Sequence, residues 1–149
     1  SKCNSFTDKE VMKALIVASK NNVEINLIVR GICCIIPKVE GFTENIKVVS
    51  IVGRFLEHSR IYSFGQGDEQ KLYISSGDMM TRNTENRVEI CCPIEDRIIK
   101  QKINSIIDII LKDNVKSREL EKDGVYRYRH IGEIPINSQE IFMEESETF

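Results

Sequence analysis

Two runs of β-branched residues constrain the fold of this chain more than any other feature. Residues 23–29 read VEINLIV and residues 46–52 read IKVVSIV, and such segments rich in β-branched residues are typical of buried strands. An amphipathic helix directly precedes the first run. This order of elements predicts an α/β fold with a mixed, mostly parallel sheet that is flanked by helices.

Two helices are predicted from the spacing of polar and apolar residues. The first begins at a capping box, in which Thr7 accepts a hydrogen bond from the Glu10 amide and the Glu10 side chain reaches back. Apolar residues follow at positions 11, 14, 15 and 18, and two asparagines at 21–22 end the pattern. The second is a long amphipathic helix over residues 98–111.

Glycine and proline mark the shorter elements. The segment Gly65-Gln-Gly-Asp68 separates the apolar runs at 60–64 and 71–75, and this arrangement predicts a β-hairpin with a glycine-rich turn. Residues 87–92, which read RVEICC, predict a further strand that Pro93 stops.

The length of 149 residues corresponds to one domain. We assign residues 1–130 to this domain and residues 131–149 to an acidic tail, which we expect to be poorly ordered or a loosely docked helix. The chain opens with Ser-Lys-Cys and has no initiator methionine, so we expect it to be a piece of a longer protein.

Charge and cysteine usage exclude several classes of protein. The chain has 21 Lys and Arg against 23 Asp and Glu, a net charge of −2 that argues against a dedicated nucleic-acid binder. No apolar run reaches the roughly 18–20 residues of a membrane span. The 5 cysteines are odd in number and lack the CxxC spacing of zinc sites, so we expect no metal ligands and a reducing, cytoplasmic location.

His58 is the residue that most directly suggests chemistry. It lies between Arg54 and Arg60, and arginines so close to an imidazole are costly unless an anion binds there. Guanidinium groups bind phosphate oxygens in a bidentate manner, so this segment predicts a phosphate site. The alternative is a surface histidine among solvated charges. His130, in a basic aromatic segment, is expected to be an exposed, solvated residue.

Further residues place His58 in a longer pattern, which resembles the half-site of the phospholipase D superfamily. That pattern consists of His-x-Lys, a Gly/Ser-Ser-x-Asn-like turn, an Arg-Asn pair and a strand glutamate. The matching residues here are His58 with Arg60, Ser75 to Asp78, Arg82 with Asn83, and Glu89. The chain departs from the pattern because Arg60 replaces the lysine, Asp78 replaces the turn asparagine, and no aspartate follows at the usual offset. These departures argue against lipid phosphodiesterase activity.

Longer strings resemble the C-terminal part of the bacterial polyphosphate kinase family. They are LIVRGICC at 27–34, VVSIVGRFLEHSRIYSF at 48–64, LYISSGDMMTRN at 72–83, RVEI at 87–90 and DNVKSREL at 113–120. The strings occur in the order of that family and span nearly the whole chain up to about residue 128. The resemblance implies an α/β domain of the phospholipase D-like class.

The same resemblance implies an enzyme that transfers the terminal phosphate of ATP reversibly to inorganic polyphosphate through a phosphohistidine. The phosphorylated histidine and the Mg²⁺-binding residues of the family belong to domains that this sequence lacks. We therefore expect the chain to be inactive alone. The implied partners are ATP or ADP, polyphosphate and the N-terminal domains of the same protein, with assembly into a homo-oligomer.

Four residues match functional positions of the family. Arg30 and His58 match nucleotide-contacting positions, and Arg87 and Glu89 fall where the family has catalytic residues. The arginines would neutralise phosphate charge, His58 would hydrogen-bond or protonate the transferring group, and Glu89 would hold the His58 tautomer. The weaker candidates for phosphate contacts are Arg60, Ser75, Ser76 and Asn83. Turn or sheet-end hydrogen bonding is an equal alternative for Arg60 and Asn83, and it is the favoured interpretation for the two serines.

Two other functions remain open at this point. The chain could be a phosphate-binding or interdomain module without chemistry, because one histidine without its nucleophilic partner cannot complete a phosphohistidine cycle. A phospholipase D-like phosphodiesterase, assembled from two copies of the His58 motif in a symmetric dimer, is the other alternative.

Overall fold

The computed structural model describes residues 1–129, 132 and 134–147, and these form an eight-stranded sheet with helices on both faces. In chain order the elements are β1 (Lys2–Cys3), α1 (Lys9–Lys20), β2 (Ile25–Val29), β3 (Ile46–Ile51), β4 (Ile61–Phe64), a 3₁₀ turn (Gly67–Glu69), β5 (Lys71–Ser75), α2 (Thr81–Glu85), β6 (Cys91–Ile94), α3 (Arg97–Lys112), β7 (Ser117–Leu120), β8 (Tyr126–Tyr128) and α4 (Ser138–Glu147). The predicted α/β class is confirmed.

The strands lie in the order β6-β5-β4-β1-β2-β3-β7-β8 across the sheet. The pairs β1–β2 and β2–β3 are parallel, whereas the other five neighbouring pairs are antiparallel. The sheet is mixed as predicted, but the expectation that it is mostly parallel is wrong. Apolar periodicity identifies a strand without giving its direction, and the short turns after β4 and β7 require antiparallel pairs.

Helices cover both faces of the central strands. Leu27 and Val29 of β2 belong to an apolar cluster that includes α1, whereas Ile28 belongs to a second cluster with Ile110 of α3 and Phe142 of α4. Neighbouring residues of a strand point to opposite faces of the sheet, so both faces of β2 are buried. This double burial explains why β2 has apolar residues on both of its faces.

Most predicted elements occur where the sequence places them. The two β-branched runs are β2 and β3, the predicted hairpin is β4 with β5, and the long amphipathic helix is α3. The helix α1 begins one residue later than predicted. Its N-cap is Asp8, whose carboxylate accepts hydrogen bonds from the amides of Glu10 and Val11 at 3.0 Å each. Thr7 lies before the cap, and the amides of Thr7 and Asp8 both donate to the Met79 carbonyl.

The strand predicted over residues 87–92 is also displaced. Strand β6 begins at Cys91 and runs through Pro93, while residues 87–90 are irregular. A proline is tolerated here because β6 is an edge strand, which leaves one side of its backbone unpaired. Arg87 and Glu89 therefore precede the strand and do not lie within it.

The five cysteines are free thiols. Cys3 is buried, Cys33 is half-buried, and Cys34, Cys91 and Cys92 are exposed. Across the residues that the structure describes, no three His, Cys, Asp or Glu side chains come together as a metal site. The same residues contain no helix with the length and apolar character needed to cross a membrane. His130 lies outside the described residues.

The helix α4 starts with a buried turn against the end of α3. Asp113, the C-cap of α3, is fully buried, and its Oδ2 accepts hydrogen bonds from the backbone and the hydroxyl of Ser138 at 2.8 Å each. Its Oδ1 accepts from the amides of Val115, Lys116 and Ser117 at 2.8–3.1 Å. Helix α4 therefore contacts the rest of the domain through Ser138. The division of the chain into a domain at 1–130 and a tail at 131–149 stays a prediction.

Asp113 is ionised in the folded chain. Burial alone would raise the pKa of its carboxyl group, but the hydrogen bonds from Ser138, Lys116 and Ser117 outweigh burial and lower the pKa below its ordinary value. A lowered folded-state pKa contributes stability above the ordinary aspartate pKa, and this contribution is lost as the pH falls through the folded-state pKa.

We expect Asp113→Asn to lower the free energy of unfolding by at least about 2 kcal/mol, because buried donors without acceptors cost ~1–3 kcal/mol each. The loss should shrink on acidification, since the wild-type carboxyl group is then protonated too. Urea denaturation at several pH values measures both effects. Asp108→Asn on the exposed side of α3 is the matched control, with an expected change within about 0.5 kcal/mol. Equal losses for the two variants would contradict this account of Asp113.

Candidate functional site

The predicted site residues come together at one edge of the sheet. Strands β1, β2 and β3 are parallel, so their C-terminal ends meet at this edge. Strands β4 and β6 begin at the same edge and β5 ends there, because their pairing is antiparallel. The connections at this edge carry Asn4, Arg30, His58, Arg60, Asp78 and Glu89.

The Asp78 carboxylate lies at the centre of these residues. It faces Arg60 in a two-pronged contact, with Nε to Oδ1 at 3.0 Å and Nη2 to Oδ2 at 3.4 Å. The two side chains are only 15% and 11% exposed. Burial alone would raise the pKa of Asp78, but the Asn4 amide and the Arg60 guanidinium outweigh burial and lower it. Asp78 is therefore a carboxylate in the folded chain.

Asp78 also connects to Arg30 through Asn4. The backbone amide of Asn4 donates to Asp78 Oδ1 at 2.7 Å, and the side-chain Nδ2 donates to the same oxygen at 3.2 Å. The side-chain oxygen of Asn4 then accepts from Arg30 Nε at 3.1 Å. We call Asn4, Arg30, His58, Arg60 and Asp78 the Asp78 network.

His58 is exposed and meets the network through Arg60. Arg60 Nη1 lies 3.3 Å from the backbone carbonyl oxygen of His58 and 3.4 Å from Nδ1 of the His58 ring. A guanidinium group can only donate hydrogen bonds, so this contact requires Nδ1 to be the acceptor. The neutral imidazole then carries its proton on Nε2. Arg54, the other arginine of this segment, lies over the Phe55 ring at 5.3 Å.

Glu89 is held in place beside this network. Its Oε1 accepts from Asn83 Nδ2 at 2.7 Å and lies 3.4 Å from Arg87 Nε, and its Oε2 accepts a short hydrogen bond from the Ser76 hydroxyl. The hydrogen bonds from Ser76 and Asn83 lower the pKa of Glu89, and the charges of Arg87 and Arg60 lower it further. These contacts do not involve His58, and the group at His58 Nδ1 is Arg60.

The two serines predicted as weaker candidates lie in the turn at residues 75–78, at the end of β5, and both make hydrogen bonds there. The Ser75 hydroxyl donates to the Ile90 carbonyl at 3.1 Å and accepts from the Gly77 amide at 3.1 Å. Gly77 packs closely on Glu89, since a Cβ at this position would lie 2.8 Å from Glu89 Cγ. The turn at residues 75–78 and the Glu89 side chain therefore hold each other in position.

The His58 loop, residues 52–60, is anchored by a residue far along the chain. Gln139 pairs with the backbone of Phe55 through its side-chain amide, accepting from the amide at 3.0 Å and donating to the carbonyl at 2.9 Å. Gln139 also donates to Glu57 at 2.8 Å, and Glu57 lies 3.3 Å from the buried Lys2 ammonium. Lys2 in turn donates to the Ser59 hydroxyl at 2.7 Å.

Sequence reasoning missed three residues of this arrangement, which are Asn4, Asp78 and Gln139. Asp78 carried a signal, because it is one of the three departures from the phospholipase D pattern, and its partner Arg60 is another. The remaining contacts join residues 74 and 84 positions apart. Such pairings follow from the topology of the sheet and have no local pattern in the sequence.

A family model matches residues 1–139 and carries the description polyphosphate kinase C-terminal domain 2. The polyphosphate kinase of Bacillus cereus is 54% identical over 128 residues, which cover 86% of this chain and 18% of the relative. That of Staphylococcus epidermidis is 48% identical over 145 residues, which cover 97% of this chain and 20% of the relative. The chain therefore spans about a fifth of the length of these curated relatives.

A solved structure gives the same result at the level of the fold. The crystal structure of polyphosphate kinase from Porphyromonas gingivalis aligns with 99% of this chain and 24% of its own, with a TM-score of 0.91 and 38% sequence identity. This agreement confirms the predicted phospholipase D-like α/β class, and the match of the family model confirms the resemblance read from the sequence strings. The chain belongs to the polyphosphate kinase C-terminal domain family.

Proposed function

We propose that this chain is the C-terminal catalytic domain of a polyphosphate kinase, which transfers the terminal phosphate of ATP reversibly to inorganic polyphosphate. One observation carries the proposal. Arg30 and His58, which come from segments 28 residues apart, are joined through a single carboxylate at the sheet edge. The contact that holds Arg30 is to the neutral amide of Asn4, so its positive charge stays available for an anion.

The reaction places specific demands on these residues. Transfer of a phosphoryl group breaks the bond between the γ-phosphorus and the bridging oxygen of ATP and forms a bond to the acceptor. Charge spreads over the three equatorial oxygens in the transition state. A fixed guanidinium group stabilises this charge without reorganising, and Arg30 supplies such a group. Arg87 is a second phosphate contact, oriented by Glu89 at 3.4 Å.

His58 provides a hydrogen-bond donor to the transferring phosphate. With Nδ1 accepting from Arg60, the Nε2 proton is the one that can be donated to a phosphate oxygen or to the leaving group. Arg60 presents only Nη1 to this side, since its Nε and Nη2 face Asp78. Any contact of Arg60 with phosphate is limited to that nitrogen. The role of Glu89 is to orient Arg87 and to keep a negative charge beside the arginines.

The other components of the reaction come from outside this chain. The phosphohistidine and the Mg²⁺ ligands belong to the N-terminal domains of the same protein, which assembles as a homo-oligomer in the cytoplasm. The chain alone binds nucleotide phosphate without transferring it. This view is supported by the open position of the site, where His58 and half of the Arg87 side chain are exposed to solvent.

Titration of the chain with ATP and with polyphosphate tests whether the phosphate site is formed before the other domains close over it. We expect both ligands to shift the imidazole NMR resonances of His58, which are identified by their absence from the spectrum of the His58→Gln variant. Phosphodiester cleavage by the chain in the absence of ATP would favour the phosphodiesterase alternative. If neither ligand shifts the His58 resonances, the isolated chain does not form the proposed site.

In the full-length kinase, we expect His58→Ala to lower turnover by roughly 10²–10⁴-fold, the range typical of acid–base residues. Steady-state assays in both directions of transfer measure the effect. Lys13→Ala, an exposed residue of α1 paired with Glu10, is the control and should keep normal turnover. Turnover close to that of wild type in His58→Ala would rule out the acid–base role.

Arg30→Lys should lower kcat/KM for ATP at least about tenfold, because a single ammonium cannot reproduce the planar fork that holds phosphate oxygens. The matched control is Arg127→Lys on β8, where the guanidinium is exposed and paired with Asp123. The proposed contact of Arg30 with phosphate predicts a clear difference between the two variants. Identical kinetics for both would argue that Arg30 does not touch the nucleotide.

Gly77→Ala tests the position of Glu89 without removing its carboxylate. The added methyl group would lie 2.8 Å from Glu89 Cγ, so the side chain must move away from Ser76 and Asn83. We expect a loss of turnover comparable to that of Glu89→Ala, and little further loss when both changes are combined. Full additivity of the two losses would show that Gly77 affects turnover by another route.

A further inference from the structure

We propose that Asp78 is a positioning residue that orients Arg30 and His58 as one unit, through Asn4 on one side and Arg60 on the other. This inference rests on the proposed function, because it assigns a shared support to the two residues that carry it. Asp78 itself does not touch the reacting groups. Its effect on catalysis follows two sets of contacts within the Asp78 network. We call them the Asn4 arm, which leads to Arg30, and the Arg60 arm, which leads to His58.

The first argument is that the two residues substituted relative to the phospholipase D pattern, Arg60 and Asp78, contact each other. That pattern has a lysine at the position of Arg60 and an asparagine at the position of Asp78. Here a planar guanidinium faces a carboxylate through two atom pairs, at 3.0 and 3.4 Å. A lysine ammonium and a neutral amide cannot form this two-pronged ion pair. The two replacements therefore depend on each other, because together they form an ion pair that holds the Arg60 side chain in one orientation.

The second argument is burial. The Arg60 and Asp78 side chains are 15% and 11% exposed, so both charges are largely removed from water. Such a pair is tolerated because each charge compensates the other, and removal of one leaves the other uncompensated. The orientation of Arg60 is consequently determined by Asp78 more than by solvent.

On the Arg30 side, Asp78 determines how the Asn4 amide is turned. A carboxylate only accepts hydrogen bonds, so the group of Asn4 that faces it must be the Nδ2 donor. The side-chain oxygen of Asn4 is then directed to Arg30 Nε. An asparagine at position 78 can donate as well as accept, so it would no longer impose this orientation.

On the His58 side, Asp78 determines which nitrogen of the imidazole carries the proton. It holds Arg60 by Nε and Nη2, which leaves Nη1 at the His58 carbonyl oxygen and Nδ1. Because Nη1 only donates, Nδ1 accepts and the proton stays on Nε2. Loss of the carboxylate releases Arg60, and the ring then keeps only the weaker intrinsic preference of a free imidazole for the Nε2–H tautomer.

The test uses Asp78→Asn in the full-length kinase, with Asp123→Asn as the control. Asp123 is also a carboxylate paired with an arginine, but it lies at an exposed turn before β8. We expect Asp78→Asn to lower kcat/KM for ATP at least tenfold. The ¹⁵N shifts of the His58 ring, assigned by comparison with His58→Gln, should change from a predominant Nε2–H tautomer to a mixture. The control should change neither quantity.

A double-mutant cycle separates positioning from a general loss of structure. Asp78→Asn should cause a smaller loss in the Arg30→Lys background than in the wild type, because part of its effect runs through Arg30. Full additivity of the two losses, together with an unchanged His58 tautomer, would overturn the inference. If His58→Ala and Arg30→Lys reduce turnover while Asp78→Asn does not, the inference is wrong and the proposed function stands. Normal turnover in all three variants would contradict the proposed function itself.

If Asp78→Asn does not fold, a second variant, Asn4→Ser, tests the inference. Asn4→Ser keeps the backbone amide of residue 4, which donates to Asp78, and removes the contacts of the asparagine side chain to Asp78 and Arg30. We expect it to raise the KM for ATP severalfold and to leave the His58 tautomer unchanged, since the Arg60 arm is intact. A change of the tautomer without a change of the KM would contradict the two-arm arrangement.

Discussion

The burial of β2 and β3 on both faces is the constraint on which the rest of this structure depends. Because α1 covers one face and α3 with α4 covers the other, the central strands cannot slip by one residue without turning polar groups inward. Their parallel alignment sends the chain out of the sheet at a single edge. The candidate site residues lie at that edge, so the apolar core determines where these charges are brought together.

The charges at this edge are arranged unequally. Arg60 faces the carboxylate of Asp78, and Arg87 lies near that of Glu89, whereas Arg30 is held by a neutral amide. Of these three arginines, Arg30 is the one whose described side-chain contact is to a neutral group. The carboxylates act as supports that fix the direction of the neighbouring guanidinium groups.

The sequence predicted elements that carry their own periodicity and failed where structure depends on distant partners. Strands β2 and β3 and helices α1 and α3 are long enough to show an apolar pattern, and all four were identified. Strand β1 has two residues and owes its conformation to its neighbours β2 and β4, so no local signal exists. The direction of most strands, the Asp8 cap and the start of β6 were missed for the same reason.

The site shows the same division. Arg30, His58, Arg87 and Glu89 were named from the resemblance to the polyphosphate kinase family, and the structure brings them to one edge. Their catalytic and binding roles stay predictions. The residues that support them, Asn4, Asp78 and Gln139, act through contacts between segments that are remote in sequence. Chemistry-bearing residue types can be recognised in a sequence, whereas the groups that orient them depend on the completed fold.

The pairing of Gln139 with Phe55 has a consequence for how far the domain can be shortened at its C-terminal end. The side-chain amide satisfies both backbone groups of Phe55, as a neighbouring strand would, and it lies 84 positions later in the chain. All eight strands of the sheet precede α4, so a chain cut after β8 would keep every one of these strands. It would lose the residue that closes the His58 loop, so the segment that follows the sheet still contributes to the geometry at His58.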